Sequence, residues 1–139
     1  MEPANFVRVN PFPVVTRTYR PQDLFLFSAA TWNAHRIHYD QDYVVATEGH
    51  EGLLVHGPLQ AVQMFQVLIN QLAEGARLQS VRYRHLSALF VGQEVAMSGR
   101  LAAMDEADGT ATFDLWIERV QDRQRTTTGN ATVRLAATD

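Results

Sequence analysis

Two short segments of this chain carry the side chains best suited to acid–base chemistry. The first covers residues 31–40 and holds a run of polar groups: Asn33, His35, Arg36, His38, Tyr39 and Asp40. In the second, His56 and Gly57 stand directly before Pro58 and an apolar stretch. A dense polar cluster ahead of a glycine-to-helix junction predicts an acid–base centre beside an anion or carbonyl site.

The residues around the first segment predict short elements. β-Branched residues indicate a strand over residues 14–19, and the proline at 21 opens a helix over residues 21–30. We expect residues 31–40 to form a turn or short irregular segment, followed by a brief helix over residues 40–45. The first segment is therefore expected to lie in a connection between helices.

The strongest helical pattern follows the second segment. We expect a helix with Gly57 as its cap and Pro58 as its first residue, running to about Glu74 and stopping at Gly75. Its apolar stripe recurs at three- and four-residue spacing and comprises Leu59, Val62, Phe65, Ile69, Leu72 and Ala76. Further apolar residues lie off this stripe, so burial on more than one side is expected.

The remainder of the chain predicts antiparallel strands. Alternation and turn residues place them at residues 80–85, 93–104, 110–120 and 124–136, with a polar hairpin loop at residues 105–109. One long helix followed by four such strands favours an α+β fold, in which a curved antiparallel sheet wraps the helix.

Composition narrows the class of protein. The 139 residues are 46% hydrophobic and 19% charged, which is typical of one globular domain, here expected over residues 1–139. The absence of cysteine and lysine excludes disulfides, thiolate chemistry and Schiff-base chemistry. A net charge of -3 gives no reason to expect nucleic acid. With neither a membrane-length apolar run nor a signal peptide, we expect a soluble, cytoplasmic protein.

Several candidate residues also have a structural interpretation. His38 can equally be a core histidine bonded to a backbone carbonyl. The pair His35 and His38 suggests a metal site, but the possible third ligands Asp40, His50 and His56 show no characteristic spacing, so no metal is predicted. We expect Asp40 to cap the following turn or pair with Arg36, and Tyr39 to pack.

The motif residues resemble those of a known family. The run from Asn33 to Asp40 reads Asn-Ala-His-Arg-Ile-His-Tyr-Asp, and His56-Gly57 follows. It is similar to the MaoC-like hydratase/dehydratase branch of the hot-dog fold. The run resembles the common motif of that branch less than it resembles a variant sub-branch, which includes fungal mitochondrial 3-hydroxyacyl-thioester dehydratases and mesaconyl-C4-CoA hydratases. The segments 51–59 and 90–92 also fit this sub-branch, and the resemblance covers most of residues 13–136.

The resemblance implies a function and a set of site residues. It implies a hydratase/dehydratase that interconverts 2-enoyl and 3-hydroxyacyl thioesters of coenzyme A or acyl-carrier protein, without a cofactor. By position, His38 matches the family's catalytic histidine, Asn33 replaces its catalytic aspartate, and His35 is a further catalytic candidate. Gly57 would stabilise the oxyanion, while His56 would either support its loop or contact the substrate. A homodimer or higher oligomer is also implied, because active sites in this fold usually lie between two units.

The sequence leaves two other functions open. A thioesterase on the same fold would need a carboxylate on the long helix, where residues 58–74 offer only Glu74. A non-catalytic hot-dog subunit is compatible with the asparagine at position 33 and with a chain that has room for one unit. Arg82 and Arg84 either meet the phosphates of coenzyme A or are solvated strand residues, and we favour solvated ones.

Overall fold

A computed structural model of the chain describes residues 1–136. It contains three α-helices, which are α1 (Pro21–Thr31), α2 (Gln41–Ala46) and α3 (Gly57–Ile69). Its strands are β1 (Val15–Thr18), β2 (Ala76–His85), β3 (Glu94–Asp105), β4 (Thr110–Arg119) and β5 (Arg125–Leu135). Short 3-10 turns occur at Pro3–Asn5 and Arg36–His38. No helix within residues 1–136 is long and apolar enough to cross a membrane.

The strands form one antiparallel sheet in the order β1-β3-β4-β5-β2. Two successive hairpins connect β3, β4 and β5, and the first of them turns at the predicted polar loop. Strand β2 joins the far edge beside β5, whereas the short β1 pairs with β3 at the opposite edge. The predicted α+β fold, a long helix packed against an antiparallel sheet, is confirmed.

Helix α3 lies against one face of this sheet and forms the centre of the core. Met64 and Leu68 of the helix are fully buried, as are Phe113 and Ile117 of β4. At Gly129 strand β5 runs so close to the helix that an added Cβ would lie 2.9 Å from the terminal methyl of Met64. The same Cβ would lie 2.6 Å from the backbone carbonyl oxygen of Arg82 on β2, which cannot move aside as a methionine methyl can, so this position requires glycine.

The predicted C-terminal end of α3, at about Glu74, is wrong. The helix ends at Ile69, because the chain beyond it pairs with the N-terminal segment instead of continuing its own hydrogen bonds. Arg8 N–H donates to the Gln71 carbonyl at 2.7 Å, and Ala73 N–H donates to the Phe6 carbonyl at 2.8 Å. A contact between residues more than 60 positions apart therefore ends the helix.

The start and the buried face of α3 also differ from the prediction. The cap is His56, so Gly57 is the first helical residue and Pro58 the second. Val62 and Ile69 from the predicted stripe are 59% and 38% exposed. The buried helix residues are Leu59, Gln60, Ala61, Met64, Phe65, Val67 and Leu68. Because this helix is apolar on several sides, its periodicity did not determine which side faces the sheet.

Candidate active site

A short extended segment around Leu54 positions the first candidate histidine. Leu54 N–H donates to the carbonyl of Ile37 at 3.0 Å, and Val55 N–H donates to the carbonyl of Leu89 at 2.8 Å. The segment is thus held on both sides by backbone hydrogen bonds, and Val91 N–H also donates to the Leu53 carbonyl at 2.9 Å. Leu54 and Phe90 form the central bridge between residues 51–59 and 90–92.

His38 has a defined tautomer. Its side chain is 8% exposed, and Nδ1 lies 2.7 Å from the carbonyl oxygen of Leu54. A carbonyl only accepts, so the proton is on Nδ1 and the Nε2 atom carries the lone pair. The hydrogen bond to a backbone carbonyl is thus observed, and the second ring nitrogen keeps the lone pair that a general base needs, while the catalytic role stays a prediction.

The ring of His38 stacks on the ring of His56. Their centroids are 3.7 Å apart and the planes differ by 17°. Burial, opposed by the hydrogen bond to Leu54 and reinforced by nearby His35, lowers the pKa of His38 from its ordinary value. A lower pKa keeps the ring neutral, and so able to act as a base, over a wider range of pH.

His56 lies beneath His38 and is only 1% exposed. Its Nε2 is 2.7 Å from Oγ of the buried Ser28 on α1. The Phe27 and His56 rings are arranged edge to face, with their centroids 4.8 Å apart. Burial and the neighbouring His38 lower the pKa of His56 to about 4, so it is neutral near neutral pH. The two rings can therefore stack without charge repulsion.

Asn33 and His35 shape the turn that presents His38. Trp32 ends α1 in the left-handed conformation, with φ 55. Asn33 Oδ1 then accepts a hydrogen bond from His35 N–H at 3.1 Å, and His35 Nδ1 accepts one from Ile37 N–H at 3.3 Å. The exposed His35 ring has its centroid 6.1 Å from that of His38. Two of the candidate catalytic residues, Asn33 and His35, thus also build the turn.

An apolar cavity of about 320 Å³ opens beside this turn. Phe25, Ser28, Trp32, Asn33 and Tyr39 contribute to its lining. Ser28, whose Oγ is hydrogen-bonded to His56, is one of the lining residues and lies between the cavity and the His56 ring. Asn33 thus contributes an amide group to the lining of a largely apolar cavity.

Asp40 has both predicted structural roles. Its Oδ1 accepts a hydrogen bond from Tyr43 N–H at 3.0 Å and caps α2, while Oδ2 pairs with the Arg36 guanidinium at 2.8 Å. These bonds hold the pKa of Asp40 below its usual range. Tyr39, predicted to pack, is 43% exposed, and its hydroxyl donates to the Ala34 carbonyl at 2.9 Å. The carboxylate of Asp40 is thus committed to the turn.

The N-terminus of α3 offers a hydrogen-bond donor. Gly57 is the first helical residue, so its N–H has no acceptor within the helix, and Pro58 has no N–H at all. His85 at the end of β2 fills the space beside the Gly57 Cα, and a Cβ there would lie 1.9 Å from His85 Nε2. A cavity of about 310 Å³ opens here, with Gln60 among its lining residues. His85 was not predicted, because it lies far from Gly57 in the sequence and only the fold brings the two together.

The remaining candidates lie outside this cluster or do not form a site. No group of three His, Asp or Glu residues suited to a metal ion occurs in the described part of the chain. Arg82 and Arg84 lie opposite Asn130 and Thr128 in the register of β2 with β5. They line a cavity of about 710 Å³ on the sheet face away from α3. They are exposed there, on the opposite side of the sheet from the helix start.

Sequence comparisons connect the chain to known proteins. A family model described as hydroxyacyl-thioester dehydratase type 2 matches residues 4–91. Mesaconyl-C(4)-CoA hydratase of Chloroflexus aurantiacus is 54% identical over 55 residues, which are 38% of this chain and 20% of that protein. The mitochondrial hydroxyacyl-thioester dehydratase type 2 of Saccharomyces cerevisiae is 26% identical over 98 residues, 70% of this chain and 33% of that protein. The chain thus spans about a fifth to a third of the length of these relatives.

Solved structures give the same result for the fold. The (R)-hydratase from A. caviae involved in PHA biosynthesis superposes with a TM-score of 0.79 at 25% identity, covering 88% of this chain and 92% of that one. A MaoC-like dehydratase also gives 0.79, at 14% identity, covering 90% of this chain and 39% of that one. The predicted hot-dog fold and the resemblance to the MaoC-like branch are confirmed.

Proposed function

Because the chain belongs to the hydroxyacyl-thioester dehydratase type 2 family, we propose that it interconverts 2-enoyl and 3-hydroxyacyl thioesters by adding or removing water. The observation that carries this proposal is the hydrogen bond from His38 Nδ1 to the Leu54 carbonyl. It leaves Nε2 as the proton acceptor of a neutral imidazole, which is the form required of a general base.

The proposed hydration needs one base and one oxyanion site. His38 Nε2 takes a proton from water while the oxygen of that water bonds to C3 of the enoyl thioester. The electron pair of the C2–C3 double bond moves to C2 and onto the thioester oxygen, giving an enolate. The imidazolium of His38 then returns the proton to C2, and the neutral base is restored. Dehydration follows the same steps in reverse.

Gly57 is the proposed donor to the enolate oxygen. Its N–H is free of intrahelical bonds and lies at the positive end of the α3 dipole, where negative charge is stabilised. The cavity beside Gly57 gives the thioester access to this donor. The acyl chain would then lie along α3.

Asn33 and His35 are proposed to assist His38. An asparagine cannot remove a proton near neutral pH, but its amide can orient the attacking water. Oδ1 of Asn33 is already bonded to His35 N–H, so the NH₂ group is the part that would hold water. The exposed ring of His35 is a second proton carrier, and replacing it with alanine measures its share.

The thioesterase alternative loses support. The single acidic candidate on the predicted long helix, Glu74, lies beyond the end of α3 at Ile69. Residues 57–69 contain no carboxylate that could face a thioester carbonyl. The alternative of a different class is a non-catalytic subunit that binds an acyl thioester or partners an active chain, and turnover by the purified chain would exclude it.

We further propose that two copies form the functional unit. Strand β2 lies at an edge of the sheet and pairs only with β5 within residues 1–136, which leaves a ten-residue strand available for a second copy. Light scattering on the purified chain would give the number of copies. The substrate is proposed to be an acyl-CoA or acyl-carrier-protein thioester, and the cytoplasmic location stays a prediction, since the yeast relative is named mitochondrial.

The activity experiment uses the purified chain with crotonyl-CoA and mesaconyl-CoA, following loss of the enoyl absorbance. His38→Asn is the test variant, because the asparagine amide can still donate to the Leu54 carbonyl but provides no base. His50→Ala is the matched control, since His50 lies outside the stacked pair and contacts Phe90. We expect turnover by the wild type and the control, and a loss of at least about a hundredfold in His38→Asn.

The other outcomes separate the alternatives. Wild-type activity in a folded His38→Asn variant, with folding checked by circular dichroism, would refute His38 as the base. If the folded wild type turns over neither substrate, the same enoyl groups are presented on a carrier protein. Inactivity there as well would favour the non-catalytic subunit.

A further inference from the structure

His56 is a buried polar residue that the proposed mechanism does not use. It caps α3 in position, yet its side chain makes no capping hydrogen bond and is 1% exposed. Its Nδ1 is buried without a hydrogen-bond partner among the described residues. An unpaired buried nitrogen costs free energy, so an apolar side chain would be the more stable occupant. Stability alone therefore does not account for an imidazole at this position.

The contacts of His56 form a continuous connection from α1 to His38. Ser28 Oγ is 2.7 Å from His56 Nε2, and Ser28 itself is buried. The opposite contact is the near-parallel stack on His38 at 3.7 Å. His38 in turn bonds to the Leu54 carbonyl. The hydrogen bond to Ser28 fixes the rotation of the His56 ring, and the stacked His56 ring limits the rotation of the His38 ring.

The charges around the pair leave His56 neutral while His38 changes its protonation state. Residues 57–69 of α3 contain no ionisable side chain. The ionisable side chains on the neighbouring elements include Asp23 on α1, His35, Arg36, Tyr39 and Asp40 around the 3-10 turn, Asp42 and Tyr43 on α2, and His85 at the end of β2. Asp23 and Asp40 are paired with arginines. No carboxylate hydrogen-bonds to His56 within residues 1–136, and burial lowers its pKa to about 4.

We propose that Ser28 and His56 are positioning residues for His38, an inference that rests on the proposed hydratase function. The Ser28–His56 hydrogen bond orients the His56 ring, and the face of that ring holds His38 against the Leu54 carbonyl. His38 Nε2 is thereby directed at the substrate, although neither Ser28 nor His56 contacts it. An aliphatic side chain at position 56 would fill the space without presenting an oriented flat surface.

A double-mutant cycle tests this role. Ser28→Ala removes the hydroxyl from the hydrogen bond, and His56→Phe keeps a flat ring but removes the bonding nitrogen. The double variant combines both changes. Ser98→Ala is the matched control, because Ser98 is also a buried serine and its Oγ donates to the Pro13 carbonyl at 3.1 Å, in another part of the fold. The kcat and KM of each are measured on the enoyl thioester that the wild type hydrates.

We expect Ser28→Ala to lower kcat about tenfold while KM changes less than about twofold, because a misdirected base slows the reaction without weakening binding. His56→Phe should lower kcat by a similar factor. Adding Ser28→Ala to His56→Phe should have no further effect, since Ser28 acts only through the imidazole nitrogen. The Ser98→Ala control keeps the wild-type kcat. An unchanged kcat in Ser28→Ala, or an equal decrease in both backgrounds, would overturn the proposal.

A spectroscopic measurement keeps the inference independent of turnover. The ring-nitrogen chemical shifts of His38 report its tautomer and its titration, and they are compared between the wild type and His56→Ala. We expect the Nδ1-protonated tautomer in the wild type, and in the variant a mixture of tautomers with a higher pKa, because water reaches the uncovered ring face. Unchanged shifts would overturn the positioning role. Altered shifts in a protein without turnover would support positioning and reject the hydratase.

Discussion

The buried His56 makes a measurable prediction for stability at acid pH. Burial lowers its pKa in the folded chain from 6.5 to about 4, whereas in the unfolded chain it is an ordinary histidine. At a pH between these two pKa values, His56 binds a proton in the unfolded state but not in the folded state. Stability from this residue is therefore complete above about pH 6.5 and is lost as the pH falls toward about 4.

The size of the loss follows from the two pKa values. Each pH unit in this interval costs about 1.4 kcal/mol, so the full loss is about 3 kcal/mol. Between about pH 7 and about pH 4.5 the expected loss from His56 is about 2.5 kcal/mol. That is a large share of the stability of a small domain, which is typically about 5–15 kcal/mol.

Urea unfolding of wild type and His56→Phe at both pH values isolates this contribution. Losing the hydrogen bond to Ser28 changes the free energy of unfolding of the variant by the same amount at each pH. The pH-dependent contribution of His56 exists only in the wild type. The wild type should therefore lose about 2.5 kcal/mol more than the variant when the pH is lowered. His38 titrates in both proteins, and most of its contribution cancels. Equal losses would refute a buried neutral His56.

Four further predictions concern the site. The acid limb of kcat/KM against pH should lie below the ordinary histidine pKa, because burial lowers the pKa of His38. Asn33→Asp should move that limb to higher pH, since a nearby carboxylate favours imidazolium. Gly57→Ala should lower kcat, and adding His85→Ala should restore most of it by removing the clash. Asp40→Ala should cost about 1–2 kcal/mol in urea unfolding without the α2 cap.

Local signals in the sequence predicted the elements that local contacts stabilise. The helix starting at Pro21 is one case, because Asp23 accepts a hydrogen bond from the backbone N–H of Arg20 within the same turn. Asp40 is another, since the cap and the ion pair it was expected to form lie three and four residues away. The bonding partners in these cases are close enough in sequence to be recognised from residue spacing.

Long-range contacts produced the errors. Helix α3 was predicted five residues too long, because pairing of residues 71–73 with the N-terminus is invisible to helical periodicity. The same limit applies to the site. His38 and Leu54 are 16 residues apart, and the hydrogen bond that assigns the tautomer requires the fold. His85 and Gly57 are 28 residues apart, and their contact likewise requires the folded chain.

The asparagine at position 33 fits the rest of the site better than the sequence alone suggested. A carboxylate near His38 would raise its pKa and hold part of the base protonated near neutral pH. In this chain Asn33 is neutral, His56 is neutral and buried, and the nearby Asp40 is neutralised by its pair with Arg36. Each of these features lets burial lower the pKa of His38. The replacement therefore suits the proposed hydration, in which His38 starts each cycle as a free base.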